Sequence, residues 1–446
     1  MTTRLRALDA VWLELESGRP ALAPGLVSVL DGPVPPVAQV RAHVAERIAD
    51  VPALQWVLDT HESTRRPRWR DAGVPDLTHH VRAERIGADP QALSELVAEL
   101  MEQPLDKARP LWSITVVRGL AGGQWAFIWR LHHAVADGIA ARSVMGHLLD
   151  LHPDGGTTLA DAAMAGSMQA TSRGHDRQSH LPGRFGRAVE GAVTALASAV
   201  KHAPEAAHVV ADVTPRPPGS LTGPLSQRRR WVHATEDLAV AKQARRRLDA
   251  SLNDVILAAV ANGYRELLLS RGEATTGRTL RCVVPVSLRP AIDDHADNRL
   301  AAAWTDLPVG AMHPSERVAR IARSTRWQIR AGTPHVGAAL ISLADRFVPG
   351  PLQEVVVERA TWVPEWFADT LVTNVPGAQF PLYVMGRRIE HMHPVIPVDA
   401  HLRITVGVVS HDGTLGFGVT GDGVHAADVD VLLRGISEGL HELAEL

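Results

Sequence analysis

Apolar positions along the chain follow two distinct periods. Val40, Val44 and Ile48 recur in steps of four, and Leu93, Leu96, Val97 and Leu100 in steps of three and four, which predicts helices. Trp112 to Val117 and Trp125 to Leu131 are short apolar runs around Ala121-Gly122-Gly123, which predicts a hairpin. The second run leads straight into His132-His133, and a helical pattern resumes from Ile139 to Leu151. From 152 to 182 the composition shifts to Gly, Ser, Thr, His and Asp, a connecting segment. Phe185, Val189, Val193, Leu196 and Val200 then share one helical stripe within Arg184 to Val200, before a Pro- and Gly-rich stretch from Pro215 to Pro224.

The second half opens with a strand-like Trp231 to Ala234, a helix with a basic face from Leu238 to Leu248, and a more apolar helix from Asn253 to Leu269. Val283 to Val286 reads as a short strand. Leu402 to Val409 and Leu415 to Val419 flank His411-Asp412-Gly413, the clearest hairpin signal in the chain. Asp428 to Leu446 reads as a last helix. Strands and helices mixed in both halves predict a two-domain α/β (α+β) protein with mixed sheets flanked by helices. The expected division is 1–151, a linker with an amphipathic helix over 152–224, and 225–446.

Composition narrows the classes. At 446 residues the chain is about three typical domains long, so more than one core is expected. A hydrophobic fraction of 45% argues against a disordered chain, and a formal charge of −3 against a general nucleic-acid binder. Cys282 stands alone, so neither an intrachain disulfide nor a thiolate zinc site is expected. Asp9, Glu14 and Glu16 interrupt any secretory core at the start, and no apolar run reaches spanning length. A cytoplasmic protein is expected, with association at the surface of a membrane or lipid body left open.

Several motifs fail on context. Gly416-Phe-Gly-Val-Thr-Gly421 matches a dinucleotide-binding pattern but lies in a hairpin strand with no following unit, so a closely packed or bulged strand is expected. Neither a phosphate-binding loop nor a hydrolase nucleophile elbow occurs. His391, His393 and His401, near Glu390 and Asp399, fit no recognised ligand spacing; solvated loop histidines and no metal are expected.

Leu131-His132-His133-Ala134-Val135-Ala136-Asp137-Gly138 is the segment that carries chemistry. A strand end holds two imidazoles, an acid follows four residues after His133, and a glycine permits an abrupt turn. An imidazole with a pKa near 6.5 can take a proton at neutral pH. With no serine or cysteine nucleophile beside it, the pattern suggests direct activation of an acceptor hydroxyl or amine. On spacing alone, a surface histidine pair in a turn fits equally well.

His132-His133-x-x-x-Asp137-Gly138 resembles the HHxxxDG signature of chloramphenicol acetyltransferase, condensation domains and related CoA-dependent acyltransferases. Pro104 to Trp112 is similar to the PLDxxRPLW segment of bacterial wax ester synthase/diacylglycerol acyltransferases. Leu8-Asp9-Ala10, Leu252 to Ala258, Val284 to Pro290, Thr373 to Gly377, and Ile404 to Val406 with His411 to Gly413 fit the same family, in order over nearly the whole chain. The resemblance implies a pseudo-dimer of two chloramphenicol-acetyltransferase-like halves, with an active-site tunnel at their junction. Acyl-CoA would enter from one side and the acceptor from the other.

His133 would be the general base, with no acyl-enzyme. His132 would support the catalytic loop, Gly138 its turn, and Asp137 would hold it against Arg289. Thr373 and Asn374 are candidate oxyanion donors. Asn253 and Asp254 would either shape the site or simply cap a helix. The family's Met-His-Val-Gly-like segment is replaced by Ser17 to Leu26, which holds no histidine, and its Gly-Asn-Arg by Asp297-Asn298-Arg299.

Arg228 to Arg230, Arg245 to Arg247, or Arg387-Arg388 could meet the CoA phosphates, or each could be a solvated face. The 184–200 stripe and the Trp362, Trp366 and Phe367 patch could face lipid or protein. The function implied is fatty acyl transfer from acyl-CoA, as substrate rather than bound cofactor, to diacylglycerol or a long-chain alcohol, giving triacylglycerol or wax ester. The alternatives are an enzyme using a carrier-protein thioester or non-lipid acceptor, and a non-catalytic lipid-body protein.

Overall fold

The computed structural model describes residues 2–5, 12–13, 16, 21–59, 68–87, 89–135, 144–163, 219–287, 300–330, 368–399 and 401–446. The first half contributes β1 (Thr2–Arg4), β2 (Gly25–Leu30), α1 (Val37–Ile48), β3 (Trp56–Asp59), β4 (Arg68–Asp71), α2 (Leu77–His80), β5 (Val81–Arg85), α3 (Ala92–Glu102), β6 (Trp112–Arg118) and β7 (Trp125–Leu131). The second contributes β8 (Arg229–Asp237), α4 (Leu238–Arg247), α5 (Leu252–Ser270), β9 (Thr279–Ser287), β10 (Leu300–Pro308), α6 (Pro314–Arg330) and β11 (Thr370–Pro376). It ends with β12 (Tyr383–Val384), β13 (Arg387–Val395), β14 (Ile404–His411), β15 (Thr414–Asp422) and α7 (Val429–Glu445).

Both predicted hairpins form. β6 pairs antiparallel with β7 from Trp112↔Leu131 onward, and Gly122 and Gly123 turn the chain at φ 69° and 75°. β14 pairs with β15 around Asp412 and Gly413, at φ 39° and 83°. Positive φ at both central residues matches the right-handed twist of the flanking strands. Each hairpin is central to a mixed six-stranded sheet. One has the order β12-β13-β2-β7-β6-β5, the other β10-β9-β11-β14-β15-β8. β8 runs five residues longer than its apolar stretch, as an edge strand on which Asp237 is exposed and Glu236 pairs with His441 at 3.0 Å.

The two sheets are interlocked. β13 belongs to the second half in sequence, yet it pairs with β2, setting His391 opposite Val29 and His393 opposite Val27. Its other face lies against β14 and β15. A Cβ at Gly416 would sit 1.6 Å from the Met392 carbonyl oxygen, and one at Gly418 1.8 Å from that of Pro394. Only glycine permits backbones to approach so closely in stacked sheets, which normally stand about 10 Å apart. The closely packed strand expected of this glycine motif is therefore what forms.

The solvated loop expected at His391 and His393 is not. Both lie on β13, and His393 is only 2% exposed, with its ring 4.6 Å from that of His233 on β8. Two residues apart on a strand they share one face, and that face is the junction between the sheets. The 184–200 stripe, most of the linker, and Trp362, Trp366 and Phe367 lie outside the described residues. Among the described residues, no helix is long and apolar enough to cross a membrane.

Candidate active site

β7 is buried along its whole length, because its two faces pack into different apolar clusters, Trp125, Phe127, Trp129 and Leu131 into one and Ala126 and Ile128 into the other. It ends abruptly. The Leu131 N–H donates to the Pro24 carbonyl (3.0 Å), the His132 N–H to that of Leu111 (2.9 Å), and the Val135 N–H closes a turn onto His132 (2.9 Å). Inside that turn the Ala134 N–H donates to His132 Nδ1 at 3.0 Å. The neutral ring must then carry its proton on Nε2, which faces Glu16 Oε2 at 3.4 Å. Both side chains are buried, at 0% and 2% exposure.

Glu16 is itself anchored. Its Oε1 accepts the Leu22 N–H (3.0 Å), and its Oε2 lies 3.3 Å from Lys107 Nζ. Burial pushes its carboxyl upward, but the adjacent His132 imidazole, the Leu22 N–H and the Lys107 ammonium outweigh that and hold it at about 2. Glu16 is thus a carboxylate at neutral pH, and His132 is a strut between it and the turn. His133 projects differently. It is half-buried, and its imidazole stacks on the indole of Trp12 with centroids 4.5 Å apart and planes 15° apart.

The segment from Pro104 to Trp112 brackets this turn. Leu111 receives the His132 N–H, and Lys107 reaches both Glu16 and the Leu13 carbonyl (3.3 Å). Arg109 pairs with Asp106 (3.3 Å) and Asp76 (3.5 Å). Trp112 Nε1 donates to the Leu54 carbonyl at 2.9 Å, and the His80 ring stacks on its indole at 4.4 Å. Its ionic and aromatic residues therefore fix the strand end that carries the histidines.

A second group lies on the other sheet. Ser251 caps α5 and forms a capping box with Asp254, whose N–H donates to Ser251 Oγ (3.1 Å) and whose Oδ2 accepts the Ser251 N–H (3.1 Å). Asp254 is thus a helix-capping residue. Asn253 Oδ1 accepts from Asn374 Nδ2 at 3.3 Å. Thr373 and Asn374 are neighbours on β11, so their side chains leave opposite faces of the sheet. Asn374 faces α5. Thr373 pairs with Gly407, whose missing Cβ would point at Pro394, so Thr373 is on the junction face. Its Oγ1 is buried and makes no hydrogen bond among the described residues.

The structure therefore joins His132 and His133 in one cluster and Asn253, Asp254 and Asn374 in another. Asp137, Gly138 and Arg289 lie outside the described residues. Sequence reading missed Trp12, Glu16 and Lys107 as site residues. The available signal was a four-residue step from Trp12 to Glu16, one helical turn, so both can face the same way. The basic cluster at 228–230 is taken up by the chain's own acids: Arg228 with Glu102 (3.3 Å), Arg229 with Asp422 (3.5 Å) and Arg230 with Asp430 (3.2 Å). A cavity of about 370 Å³ among α5, α6 and α7, lined by Asn262, Arg265, Glu266 and Arg317, includes none of the site residues above. Among the described residues no group of three or more His, Cys, Asp or Glu is arranged to hold a metal.

Known proteins agree with the motif series. Residues 5–256 match the wax ester synthase/diacylglycerol acyltransferase catalytic domain, and residues 296–444 the C-terminal domain of the same family. The chain belongs to the wax ester synthase/diacylglycerol acyltransferase family. A Mycobacterium tuberculosis protein named as a probable diacylglycerol O-acyltransferase is 33% identical over 451 residues, covering 99% of this chain and 96% of that protein. The wax ester synthase/diacylglycerol acyltransferase from Marinobacter aquaeolei VT8 superposes over 100% of both chains, with a TM-score of 0.71 at 20% identity. A starter condensation domain of rhizomide synthetase, solved in complex with C8-CoA, covers 100% of this chain and 95% of its own, with a TM-score of 0.60 at 16% identity. The family expected from the ordered motifs is the family found, acyl transfer is its enzyme class, and the two solved structures share the fold.

Proposed function

We propose that this wax ester synthase/diacylglycerol acyltransferase family member transfers a fatty acyl group from acyl-CoA to the hydroxyl of diacylglycerol or a long-chain alcohol, with His133 as general base. The observation that carries the assignment of the base is the unequal treatment of two adjacent histidines. His132 is fully buried, with Nδ1 accepting the Ala134 N–H and Nε2 3.4 Å from Glu16 Oε2, whereas His133 is half-buried at the strand end. A base must be held firmly yet reach substrate, and the partial exposure of His133 supports it over the fully buried His132.

In this reading His133 takes the acceptor's hydroxyl proton as the oxygen attacks the thioester carbon. The tetrahedral intermediate collapses, the C–S bond breaks, and the proton passes from the imidazole to the CoA thiolate. The products are an ester and free CoA. Thr373, on the junction face with an unused hydroxyl, is the better placed oxyanion donor of the β11 pair. The tunnel would follow the junction between the sheets, with the halves at 1–151 and 225–446 joined by the linker. Docking at a membrane or lipid-body surface would bring both lipid substrates to it.

The test is thiol release from palmitoyl-CoA with diolein, with hexadecanol and with no acceptor, products separated, for the native protein and His133→Ala. We expect acceptor-dependent release that falls about 10²- to 10⁴-fold in the variant, the range for a general base. Equal release by both proteins would remove His133 as the base. With a polar amine added as a fourth acceptor, release with that amine alone would favour a condensation-type acceptor.

A further inference from the structure

We propose that Trp12 is a positioning residue for His133: its indole face sets the imidazole plane and stabilises the imidazolium formed when the ring takes the acceptor's proton. The proposal deepens the reading of His133 as base and rests on it.

The geometry is that of a cation–π contact. A ring-to-ring distance of 4.5 Å lies inside the roughly 6 Å over which an indole face attracts a cation. A near-parallel stack also covers one face of the imidazole. The indole is backed by the apolar cluster of Leu5, Leu13, Leu58, Trp69 and Leu111, so its own orientation is set by packing. The Glu16 N–H donates to the Trp12 carbonyl at 3.4 Å, so one turn of chain carries both the ring facing His133 and the carboxylate facing His132.

That division of labour suits the chemistry. His132 has a carboxylate partner, which holds its proton in place. The base must gain a proton and then release it to the CoA thiolate within one turnover. A π face favours the cation less strongly than a carboxylate does and offers no site for the proton itself. The imidazolium is stabilised without becoming a trap.

The experiment compares the full-length protein with Trp12→Phe and Trp12→Leu. Histidine ring resonances are followed by NMR against pH, His133 being assigned by its loss in His133→Ala, and kcat and KM for palmitoyl-CoA are measured in parallel. In Trp12→Leu the His133 midpoint is expected to fall by about 1, with kcat down about tenfold and KM changed less than about twofold. Trp12→Phe, which keeps a ring face and most of the packing, should lie between. An unchanged midpoint in both variants overturns the proposal, whatever the rates do. Full activity in His133→Ala would instead overturn the reading of His133 as base, and with it the positioning role of Trp12 in the reaction. A midpoint that still moved with Trp12 would distinguish that failure from a stack that does nothing.

Discussion

Two tryptophan–histidine stacks of nearly the same geometry sit in different parts of this protein. Trp12 covers His133 at 4.5 Å and 15°, and Trp231 covers His233 at 4.8 Å and 17°. Their surroundings differ. The first lies at a strand end beside a turn fixed by an ionised Glu16 and Lys107. The second lies in the junction, where His233 meets His393 at 4.6 Å and His391 follows at 6.4 Å from His393. Burial, and to a lesser degree His391, push the His233 imidazole down to about 4. Burial, His233 and His391 together push His393 well below the ordinary value, and hydrogen bonds to the Phe417 and Ala234 backbone offset them only in part. An aromatic stack is thus compatible with opposite roles. Under the proposed function, what would separate the base from the junction histidines is whether the neighbourhood can accept a positive charge.

The largest way to break the comparison is to part the junction. In Gly418→Ala the new methyl would fall 1.8 Å from the Pro394 carbonyl oxygen, which β13 cannot yield without leaving β15. Backbone against a methyl has no rotamer escape, so a loss of about 3 kcal/mol or more is expected. Chemical denaturation would measure it. An unaltered midpoint would mean that β13 and β15 are not in contact.

Glu16→Gln attacks the other region. It keeps the shape but removes the charge that faces both His132 and Lys107. The expected cost is about 1–3 kcal/mol of stability, with a fall in kcat as the turn before His133 loosens. The pH dependence carries the sign. Because the folded carboxyl is held at about 2, against an ordinary value of 4.5, its contribution is full above 4.5 and is lost as pH falls through 2. The variant should therefore lose less stability than the native protein over that window. The same acid loss in both proteins would show that Glu16 is not the paired carboxylate.

Much of this was legible in the sequence, and what was not shares a cause. The hairpins, α5 and the glycine strand follow from local periodicity and turn chemistry, which involve residues near one another. β13 was illegible because Arg387, Arg388, Glu390, His391 and His393 read as a polar loop, while its partner β2 lies more than 350 residues earlier. Glu16 was visible only as an interruption of an apolar start one turn after Trp12, since nothing local announces a partner at His132. The HHxxxDG resemblance implied His133 as the base, but the residues that distinguish His132 from His133 come from a distant segment. Register and long-range pairing are tertiary facts, and a single sequence states them poorly.

A third prediction tests the junction histidines themselves. His233 bonds to Ser94 Oγ at 3.3 Å and stacks on Trp231, so His233→Gln keeps a polar group in reach while removing the titration. The groups facing the imidazole are His391 and His393 from β13, Ser94 from α3 and Trp231 on its own strand. A histidine held at about 4 in the fold, and near 6.5 when unfolded, binds its proton mainly in the unfolded chain between those values. Stability is therefore full above 6.5 and falls as pH drops toward 4. Removing the group should reduce that slope by up to one proton, about 1.4 kcal/mol per pH unit, whatever the variant does to stability at neutral pH. Denaturation midpoints between pH 7 and 4 would show the two curves converging in acid. Parallel curves would mean that His233 keeps its charge in the fold, which would require a partner that the junction does not provide and would erase the contrast with His133.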